Sequence, residues 1–372
     1  MKIAFFIGSL NRGGTEMLTL DIFRRKDAAP FEMMLIYRNE GALSEAFSAT
    51  GVPFFRLKPK GSIIRYLKEF RALLKKEHVD ILHAQTLTNG LFSIACTAFT
   101  PVKLVFTFHG LFSHNLLFSH LVAWFSDARI FVSNYIREWY PRHSIFFPRR
   151  KNYTVYNGID FNKLDVPYPE PAFFIKDDTA KTVRLGMVGN FNHVRSQIVI
   201  CKALKLLKDS GIDFQFYFIG KRSEAEPDLF DSCVRYCQEN DLLPCVHFIG
   251  SRGDVPSILQ HLDGFIYSTV QDTFGIAVIE ALSVGLPTIT NDWEVMKEIS
   301  LNGTLVDLFK TADEKDCFEK MTLLIDNLEK RKEMARKNAL IVKDIYSIDR
   351  HIAALNQVYE KALLYRSPKP AA

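Results

Sequence analysis

Residues 182–220, TVRLGMVGNFNHVRSQIVICKALKLLKDSGIDFQFYFIG, contain two short apolar runs with an amphipathic stretch between them. The runs 182–190 and 214–220 have the continuous apolar character of strands that are buried on both faces of a parallel sheet. Residues 196–210 instead carry apolar side chains at the 3.6-residue period of a helix. A strand, a helix and a second strand in this order predict a βαβ unit, in which the two strands pair in parallel.

The same alternation of strands and helices extends towards both ends of the chain. Strands are predicted at 2–8, 32–37, 79–84, 103–110, 128–133, 246–250 and 263–269, and further helices at 14–26, 62–77 and about 347–364. This pattern predicts α/β domains whose parallel sheets are covered by helices on both faces. Residues 161–181 interrupt it with three prolines and no helical period, so they are interpreted as the linker between two domains, 1–165 and 180–346.

The composition is that of a folded protein with two domains. The chain has 372 residues, of which 48% are hydrophobic and 24% charged, which excludes a mostly disordered chain. The N-terminal apolar run breaks after about eight residues, too few for a secretory leader, and no stretch stays apolar for about 18 residues. The six cysteines are scattered without a zinc-binding pattern, which indicates reduced thiols in a cytoplasmic protein.

Positive charge is concentrated in the first half of the chain. Residues 1–165 contain 22 basic and 13 acidic residues, although the whole chain has a net charge of only +5. Such an excess favours an anionic partner, either phosphate groups or an acidic membrane face. Residues 142–151, RHSIFFPRRK, are either a segment that lies on a membrane surface or a solvated loop with core aromatic residues. A nucleic-acid partner is not expected, because no base-stacking or groove-reading motif accompanies the charge.

The segment with the most specific pattern is 268–291, STVQDTFGIAVIEALSVGLPTITN. Asp272 precedes Phe274 and Gly275, and Glu280 follows Asp272 by eight positions. A helix that begins near Gly275 would expose unpaired N–H groups, which bind anions such as a pyrophosphate. Two carboxylates placed before and within that helix can accept hydrogen bonds from the hydroxyls of a sugar and a ribose. On spacing alone, an ordinary βα junction with two surface acids remains the alternative.

This segment resembles the E-x7-E signature of the retaining family 4 glycosyltransferases, with Asp272 in place of the first glutamate. The resemblance implies that Asp272 contacts the donor sugar and that Glu280 contacts the ribose of the nucleotide. It also implies that Phe274, Gly275 and Ile276 contact the diphosphate or the sugar. Aspartate is one methylene shorter than the family's glutamate, which is the main departure of this segment from the signature.

A second match to the family lies at Gly189-Asn190, the end of the first quoted strand, and at Arg195 five residues beyond it. The family usually has Gly-Arg here, with a second basic residue five positions later, and the two cations neutralise the departing diphosphate. The resemblance therefore assigns Arg195 to stabilisation of the leaving group, and Gly189 and Asn190 to donor binding. Asn190 replaces the first cation, and Arg252 is a candidate to compensate for it.

In the first domain, Gly13, Gly14 and Thr15 follow the first predicted strand, as the Gly-Gly loop of the family does. Two glycines permit unusual backbone angles, and the following helix start offers amides to an acceptor or to a diphosphate oxygen. His109, at the end of a predicted strand, matches a family histidine that lies beside the donor sugar. His83 matches the family's other recurrent histidine.

The motifs GGTE, TFHG, NGID, VGN with Arg195, and D-x7-E follow one another over nearly the whole chain. The resemblance implies a GT-B fold: two Rossmann-like domains whose parallel sheets face each other across a cleft, with a last helix that crosses back to the first domain. It also implies a retaining, metal-independent transferase without a cofactor. Such an enzyme moves a sugar from a nucleoside-diphosphate sugar to a hydroxyl of a glycan or lipid-linked acceptor. His109, Asp272 and Arg195 would be its catalytic residues.

Two alternatives remain beside this interpretation. One is a GT-B sugar phosphorylase or an epimerase, and the other is a catalytically weak binding protein in which Asn190 and Asp272 record lost chemistry. NAD and ATP are not expected, because the chain has no dinucleotide fingerprint and no Walker loop. Together with the resemblance, the basic, aromatic first half favours a cytoplasmic enzyme of bacterial surface-polysaccharide assembly that contacts the anionic inner face of the membrane.

Overall fold

The chain divides into two compact units. The N-terminal unit comprises Met1–Ile159 together with Tyr346–Ala372, and the C-terminal unit comprises Asp160–Ile345. The computed structural model describes residues 1–58, 61–112, 115–174 and 182–364. No helix in this described part of the chain is long and apolar enough to cross a membrane.

Within the described residues each unit contains one sheet, and the strands of both sheets are named in chain order. They are β1 (Lys2–Ser9), β2 (Glu32–Asn39), β3 (Phe54–Arg56), β4 (Ile81–Ala84), β5 (Lys103–Phe108), β6 (Ala128–Phe131), β7 (Asn152–Thr154), β8 (Val183–Val188), β9 (Phe214–Ile219), β10 (Val246–Gly250), β11 (Gly264–Tyr267), β12 (Thr288–Asn291) and β13 (Asp307–Phe309).

The α-helices that connect and cover these strands are also named in chain order. They are α1 (Gly14–Arg24), α2 (Ser44–Ser48), α3 (Ile63–Lys76), α4 (Leu87–Thr97), α5 (Leu116–Phe125), α6 (Asn134–His143), α7 (Gln197–Asp209), α8 (Pro227–Glu239), α9 (Val255–Gln260), α10 (Ile276–Ser283), α11 (Glu294–Ile299), α12 (Glu314–Asp326), α13 (Leu328–Tyr346) and α14 (Ile348–Leu364). A 3₁₀ helix, Phe161–Lys163, lies near the start of the C-terminal unit.

The N-terminal unit is built on a seven-stranded sheet in the order β3-β2-β1-β4-β5-β6-β7, and every neighbouring pair is parallel. The chain proceeds outward from β1 in one direction and from β4 in the other. The topological switch point of this sheet therefore lies between β1 and β4, and a ligand site is expected at their carboxyl ends.

Helix α3 shows how the sequence pattern produces this packing. Tyr66, Phe70 and Leu74 recur at the four-residue spacing of one helical face and are buried in a cluster with side chains of β1 and β2. Ser62 caps the helix, because its hydroxyl accepts a hydrogen bond from the Arg65 amide at 3.3 Å.

The C-terminal unit repeats this architecture with six parallel strands in the order β10-β9-β8-β11-β12-β13. Its switch point lies between β8 and β11. The predicted strands and helices of the first quoted stretch appear here as β8, α7 and β9, with the two strands paired in parallel. Both units thus have the Rossmann-like, parallel α/β architecture that the sequence predicts.

The last helix, α14, belongs to the core of the N-terminal unit. Ile352, Leu355 and Tyr359 are buried in one hydrophobic cluster with side chains of β1 and β2. The turn before the linker packs closely against the start of this helix. A Cβ on Gly158 would lie only 2.7 Å from the Cα of Ile348. Only glycine therefore fits at this turn without displacing the helix.

The described part of the predicted linker packs within the C-terminal unit. The side chain of Gln260 donates hydrogen bonds to the carbonyls of Leu164 (2.7 Å) and Val166 (2.8 Å). The Ser257 hydroxyl donates to the carbonyl of Pro169 at 2.5 Å. Residues 175–181 of the predicted linker lie outside the described residues.

Several strands end earlier than the apolar runs suggest. The strand predicted to continue to residue 110 ends at Phe108, and the one predicted to continue to 269 ends at Tyr267. The difference arises because polar residues at a strand end leave the ladder and bend into the following loop. His109 and Thr269 consequently lie in loops at the carboxyl ends of their sheets.

Candidate active site

In the C-terminal unit, the loops after β8 and β11 are joined across the switch point. Arg195 and Thr269 form an isolated antiparallel bridge, and the Thr269 hydroxyl donates to the carbonyl of Val194 at 2.6 Å. Asn291, at the end of β12, holds the same loop: its side chain accepts from the Thr269 amide at 2.9 Å and donates to the Thr269 carbonyl at 2.8 Å. The loop that carries Asp272 is therefore fixed by the neighbouring strand.

Asp272 is only 7% exposed, and its carboxylate accepts three hydrogen bonds and forms one ion pair. Oδ2 accepts from the Tyr267 hydroxyl at 2.7 Å and lies 3.2 Å from Nη1 of Arg195. Oδ1 accepts from the backbone amides of Thr273 (2.7 Å) and Phe274 (3.4 Å). This carboxylate thus holds together the end of β11, the following loop and the β8 loop.

The guanidinium of Arg195 is the cation of this cluster. Besides Asp272, Nη1 lies 3.4 Å from the Thr269 hydroxyl, and the group stacks over the Tyr267 ring at 5.1 Å. Its Nε is buried without a hydrogen-bond partner among the described residues. A buried donor that lacks a partner is costly, so this arrangement leaves a donor for which a ligand oxygen is a suitable acceptor.

Tyr267 connects the charged pair to the core. Burial, together with the nearby Asp272 carboxylate, raises the pKa of Tyr267 well above its ordinary value of 10.0. The phenol therefore stays protonated at every physiological pH and donates permanently to Asp272. This buried hydroxyl is thus a partner of the shorter acid at the first position of the D-x7-E pattern.

Helix α10 begins directly after this loop. Gly275 is its N-cap, with φ of +82°, and a Cβ at this position would lie 2.7 Å from Cε of Met296. Phe274 is buried beside it, whereas Ile276 and Glu280 are partly exposed in the first and second turns. As a glycine, the N-cap residue has no side chain to cap the helix. Amides in the first turn of a helix are groups that can bind an anion.

Gly189 and Asn190 follow β8, and their loop packs tightly on the β9 loop. A Cβ on Gly220 would lie 2.1 Å from the Gly189 carbonyl oxygen. The side-chain oxygen of Asn190 accepts from the Lys221 amide at 3.0 Å, so Asn190 holds the loop rather than supplying charge. Arg252, the candidate to compensate for the missing cation, forms a two-point ion pair with Asp254 at 2.8 and 2.7 Å.

In the N-terminal unit, the Gly-Gly loop follows β1 at the switch point. Gly13 is the N-cap of α1 in an extended conformation, and Gly14 and Thr15 form the first turn. The carboxylate of Glu16 covers this loop, since a Cβ on Gly13 would lie 2.4 Å from it. Burial raises the pKa of Glu16 above its ordinary value of 4.5.

A chain of hydrogen bonds connects this loop to His109. The Thr19 hydroxyl donates to the Thr15 carbonyl at 2.8 Å and accepts from the Gln85 amide at 3.2 Å. The amide oxygen of Gln85 therefore faces His109, whose Nε2 lies 3.0 Å away and must carry the proton. Burial, with a smaller effect of His351, lowers the pKa of His109 to about 3, so that the ring is neutral.

His83 lies one strand away and is fully engaged by the protein. Its Nδ1 is 2.7 Å from the Tyr359 hydroxyl of α14, and its Nε2 is 2.7 Å from the Thr107 hydroxyl. Burial, together with neighbouring His109, lowers the pKa of His83 to about 3. This second histidine therefore ties α14 to the sheet beside His109.

Sequence reasoning missed four residues that organise these two clusters: Thr19, Gln85, Tyr267 and Asn291. Each of the last three lies at or directly after the carboxyl end of a strand, where a parallel sheet places its ligand site. That position was the available signal, but it does not show which neighbouring loop the side chain contacts.

Two Rossmann-like units, each with polar side chains gathered at the switch point of its sheet, define the GT-B class of glycosyltransferases. Two family models match the sequence side by side: "Glycosyltransferase Family 4" matches residues 12–163, and "Glycosyl transferases group 1" matches residues 172–340. The chain belongs to the family 4 glycosyltransferases and is a glycosyltransferase that uses a nucleotide sugar. The predicted membership of family 4 is confirmed.

Known proteins agree with this assignment. The O-antigen biosynthesis glycosyltransferase WclY of Escherichia coli is 22% identical over 80% of this chain and 82% of its own length. The UDP-Gal:alpha-D-GlcNAc-diphosphoundecaprenol alpha-1,3-galactosyltransferase of Escherichia coli is 23% identical over 75% of this chain and 76% of its own length.

Solved structures show the same fold. Alr3699/HepE of Anabaena, in complex with UDP and glucose, is similar with a TM-score of 0.79 at 17% identity, over 97% of this chain and 98% of its own. A glycosyltransferase from Rickettsia africae ESF-5 is similar with a TM-score of 0.82 at 16% identity, over 98% and 99% of the two chains. The predicted GT-B fold is confirmed.

Proposed function

We propose that this chain is a retaining glycosyltransferase that moves a sugar from a nucleoside-diphosphate sugar to a hydroxyl of a glycan or lipid-linked acceptor. It acts without a bound metal ion or other cofactor, in the cytoplasm at the inner face of the membrane. The observation that carries the proposal is the Arg195–Asp272 pair at the β8–β11 switch point, directly before the glycine N-cap of α10.

The donor binds through its diphosphate. Arg195 and the first amides of α10 hold the phosphate oxygens, and the unpartnered Nε of Arg195 gains an acceptor when the diphosphate arrives. Glu280, in the second turn of α10, accepts hydrogen bonds from the ribose. As the bond from the anomeric carbon to the diphosphate breaks, negative charge grows on the phosphate oxygens, and Arg195 stabilises it.

Asp272 positions these groups. With three hydrogen bonds and one ion pair already on its carboxylate, it serves better as the anchor of Arg195 and of the sugar-facing loop than as a covalent nucleophile. The acceptor hydroxyl then attacks the anomeric carbon from the face that the diphosphate leaves, and a phosphate oxygen takes its proton. Attack on that face retains the anomeric configuration.

Thr19, Gln85 and His109 form a hydrogen-bonded cluster in the N-terminal unit, and we call it the neutral cluster because its histidine is uncharged. This cluster binds hydroxyl groups. His109 is held as one tautomer by Gln85, and a neutral imidazole can orient a sugar hydroxyl without acting as a base. The amides at Gly13, Gly14 and Thr15 offer donors to an acceptor or a diphosphate oxygen.

The names of two relatives support the proposed acceptor. The names of the Escherichia coli relatives refer to O-antigen biosynthesis and to a diphosphoundecaprenol acceptor, which favours a lipid-linked glycan for this chain as well.

The proposal is tested by thermal unfolding with a panel of nucleoside diphosphates and nucleotide sugars. A ligand at about a hundred times its Kd raises the melting temperature by about 5 °C or more, because it binds only the folded state. We expect one nucleotide family to do so, and Glu280→Ala to abolish the shift. Glu319→Ala, which removes an exposed acid of α12 in the same unit, is the matched control.

Turnover completes the test with the same donor. Nucleotide release should require an added glycan acceptor, persist in EDTA, and give a product whose anomeric configuration matches that of the donor by NMR. Release that occurs equally without acceptor indicates a hydrolase or epimerase, and an inverted product contradicts the retaining mechanism. Absence of any thermal shift with folded protein contradicts donor binding itself.

A further inference from the structure

Helix α5 of the N-terminal unit turns its large apolar side chains towards solvent. Five exposed residues, with exposed fractions between 38% and 70%, lie on one face: Leu117, Phe118, Leu121, Trp124 and Phe125. At 100° per residue they span an arc of about 120°. None of them is polar, which is the reverse of a surface helix in a water-soluble domain.

The opposite face of α5 is buried and is made of small residues. Ser119, Val122 and Ala123 are its buried residues. The large residues on the exposed face form an uninterrupted apolar surface, and contiguous exposed surfaces of this kind mark sites of interaction.

The loop after α6 extends this surface. Ile145 is 81% exposed and Phe146 is 71% exposed, and the indole N–H of Trp124 donates to the Phe146 carbonyl at 2.8 Å. We name the seven side chains together the apolar face: Leu117, Phe118, Leu121, Trp124, Phe125, Ile145 and Phe146.

A buried arginine fixes the two parts of this face to each other. Arg129 donates to the carbonyls of Ala123 and Ser126 at the end of α5, and to the Arg150 carbonyl after the second part of the face. Burial lowers the pKa of Arg129 to about 10, which leaves it charged at neutral pH. The backbone segments that carry the apolar face are thus tied to each other, and such preorganisation lowers the cost of binding.

Positive charge borders the apolar face. Arg142, Arg149 and Arg150 are exposed in the segment that carries Ile145 and Phe146. The acidic residues between 115 and 151 are Asp127 and Glu138; Asp127 pairs with Lys103 at 3.0 Å and Glu138 with Arg142 at 2.5 Å. Arg149 and Arg150 therefore leave a net positive border, which suits anionic lipid headgroups around inserted apolar side chains.

We propose that the apolar face inserts into the interfacial region of an anionic lipid bilayer, while Arg149 and Arg150 contact the headgroups. This deepens the proposed function, because it names the surface by which the chain reaches a lipid-linked acceptor. Trp124 suits this location, since its indole is amphipathic, as are the aromatic residues that concentrate at membrane interfaces.

The test is sedimentation of the full chain with vesicles of phosphatidylcholine, with and without phosphatidylglycerol, at low salt. Wild type should bind the anionic vesicles, and Leu117→Gln with Leu121→Gln should weaken this binding by roughly tenfold or more. Arg149→Gln with Arg150→Gln should weaken it by roughly fivefold for each charge on anionic vesicles only. Leu340→Gln, at a 72% exposed leucine of α13, is the matched control and should bind like wild type.

Two results would overturn the inference. One is equal vesicle binding by wild type and the Leu117/Leu121 variant. The other is a change from dimer to monomer in that variant, seen by sedimentation velocity without a change in vesicle binding, which would assign the face to a second copy of the chain. Nucleotide-induced thermal shifts are measured on the same proteins. If wild type shows no such shift, the proposed function is contradicted, whereas the vesicle experiment still decides whether the apolar face binds a bilayer.

Discussion

The side chains at the switch points of the two units differ in charge: one cluster is ionic and the other is neutral. In the C-terminal unit the cluster is ionic, with Arg195 and Asp272 paired at 3.2 Å and tied to Tyr267. In the N-terminal unit it is neutral, because burial lowers the pKa values of both His83 and His109 to about 3. One architecture thus presents a charged cluster in one copy and a hydrogen-bonding cluster without charge in the other.

This difference matches the two kinds of group that a glycosyl transfer must hold. A diphosphate needs cations and helix-terminal amides, whereas sugar and acceptor hydroxyls need oriented neutral donors and acceptors. The fold supplies the same sheet edge twice, and the side chains at the strand ends decide which chemistry each edge serves.

The largest expected effect is on the stability of the N-terminal unit in acid. The folded-state pKa values of His83 (about 3) and His351 (about 4) lie below the ordinary 6.5, so the unfolded chain binds more protons as the pH falls. Stability that is complete above pH 6.5 is therefore lost below it, by about 2 kcal/mol for each histidine at pH 5. In the C-terminal unit only a smaller loss is expected from His247, which is partly buried and whose pKa burial also lowers.

Urea unfolding at pH 7 and pH 5, followed by tryptophan fluorescence, separates the two units. Trp293→Phe leaves Trp124 and Trp139 as reporters of the N-terminal unit, and the double change Trp124→Phe, Trp139→Phe leaves Trp293 for the C-terminal unit. If the free energy of unfolding falls equally for both units between pH 7 and pH 5, the proposed electrostatic difference between the units is wrong.

The second effect concerns the ionic cluster. Arg195→Gln should lower kcat by roughly 10²–10³-fold, because the departing diphosphate loses a preorganised cation. Asp272 keeps the Tyr267 hydroxyl and its backbone donors, so we expect the folded protein to be recovered. Steady-state kinetics with saturating acceptor are the measurement.

Arg331→Gln is the matched control for this change. Arg331 also pairs with an aspartate, Asp307 at 3.0 Å, but Asp307 begins β13 at the amino edge of the sheet. Its loss should leave kcat within about twofold, since exposed or half-exposed ion pairs contribute little. An equal fall in both variants would mean that Arg195 acts through stability alone.

The smallest effect tests the neutral cluster. Gln85→Leu removes the acceptor that holds Nε2–H of His109, and we expect kcat/KM to fall about tenfold, as for the loss of one oriented hydrogen bond. Gln215→Leu is the control, because Gln215 makes the same contact with His247 at 2.6 Å on the strands of the C-terminal unit. If Gln215→Leu lowers kcat/KM as much, the role given to His109 is wrong.

Much of the architecture is predictable from the chain. The alternating apolar runs predict parallel sheets, and α3, α7 and β9 lie within one or two residues of their expected positions. The motifs place Gly13, Arg195 and Asp272 after strand ends, which is where the structure has them. The strand ends themselves are less predictable, as His109 shows, because ladder pairing depends on neighbours that are distant in sequence.

The sequence by itself determined the fold class, the family and the residue types available at each switch point, because local periodicity and short motifs carry that information. Only the tertiary structure decided which partners these residues contact and how deeply they are buried. Packing buried Tyr267 under Asp272, aligned Gln85 between Thr19 and His109, and turned the large side chains of α5 outward. These are contacts between segments far apart in the chain, and they depend on the register of strands and the rotation of helices, which no local pattern encodes.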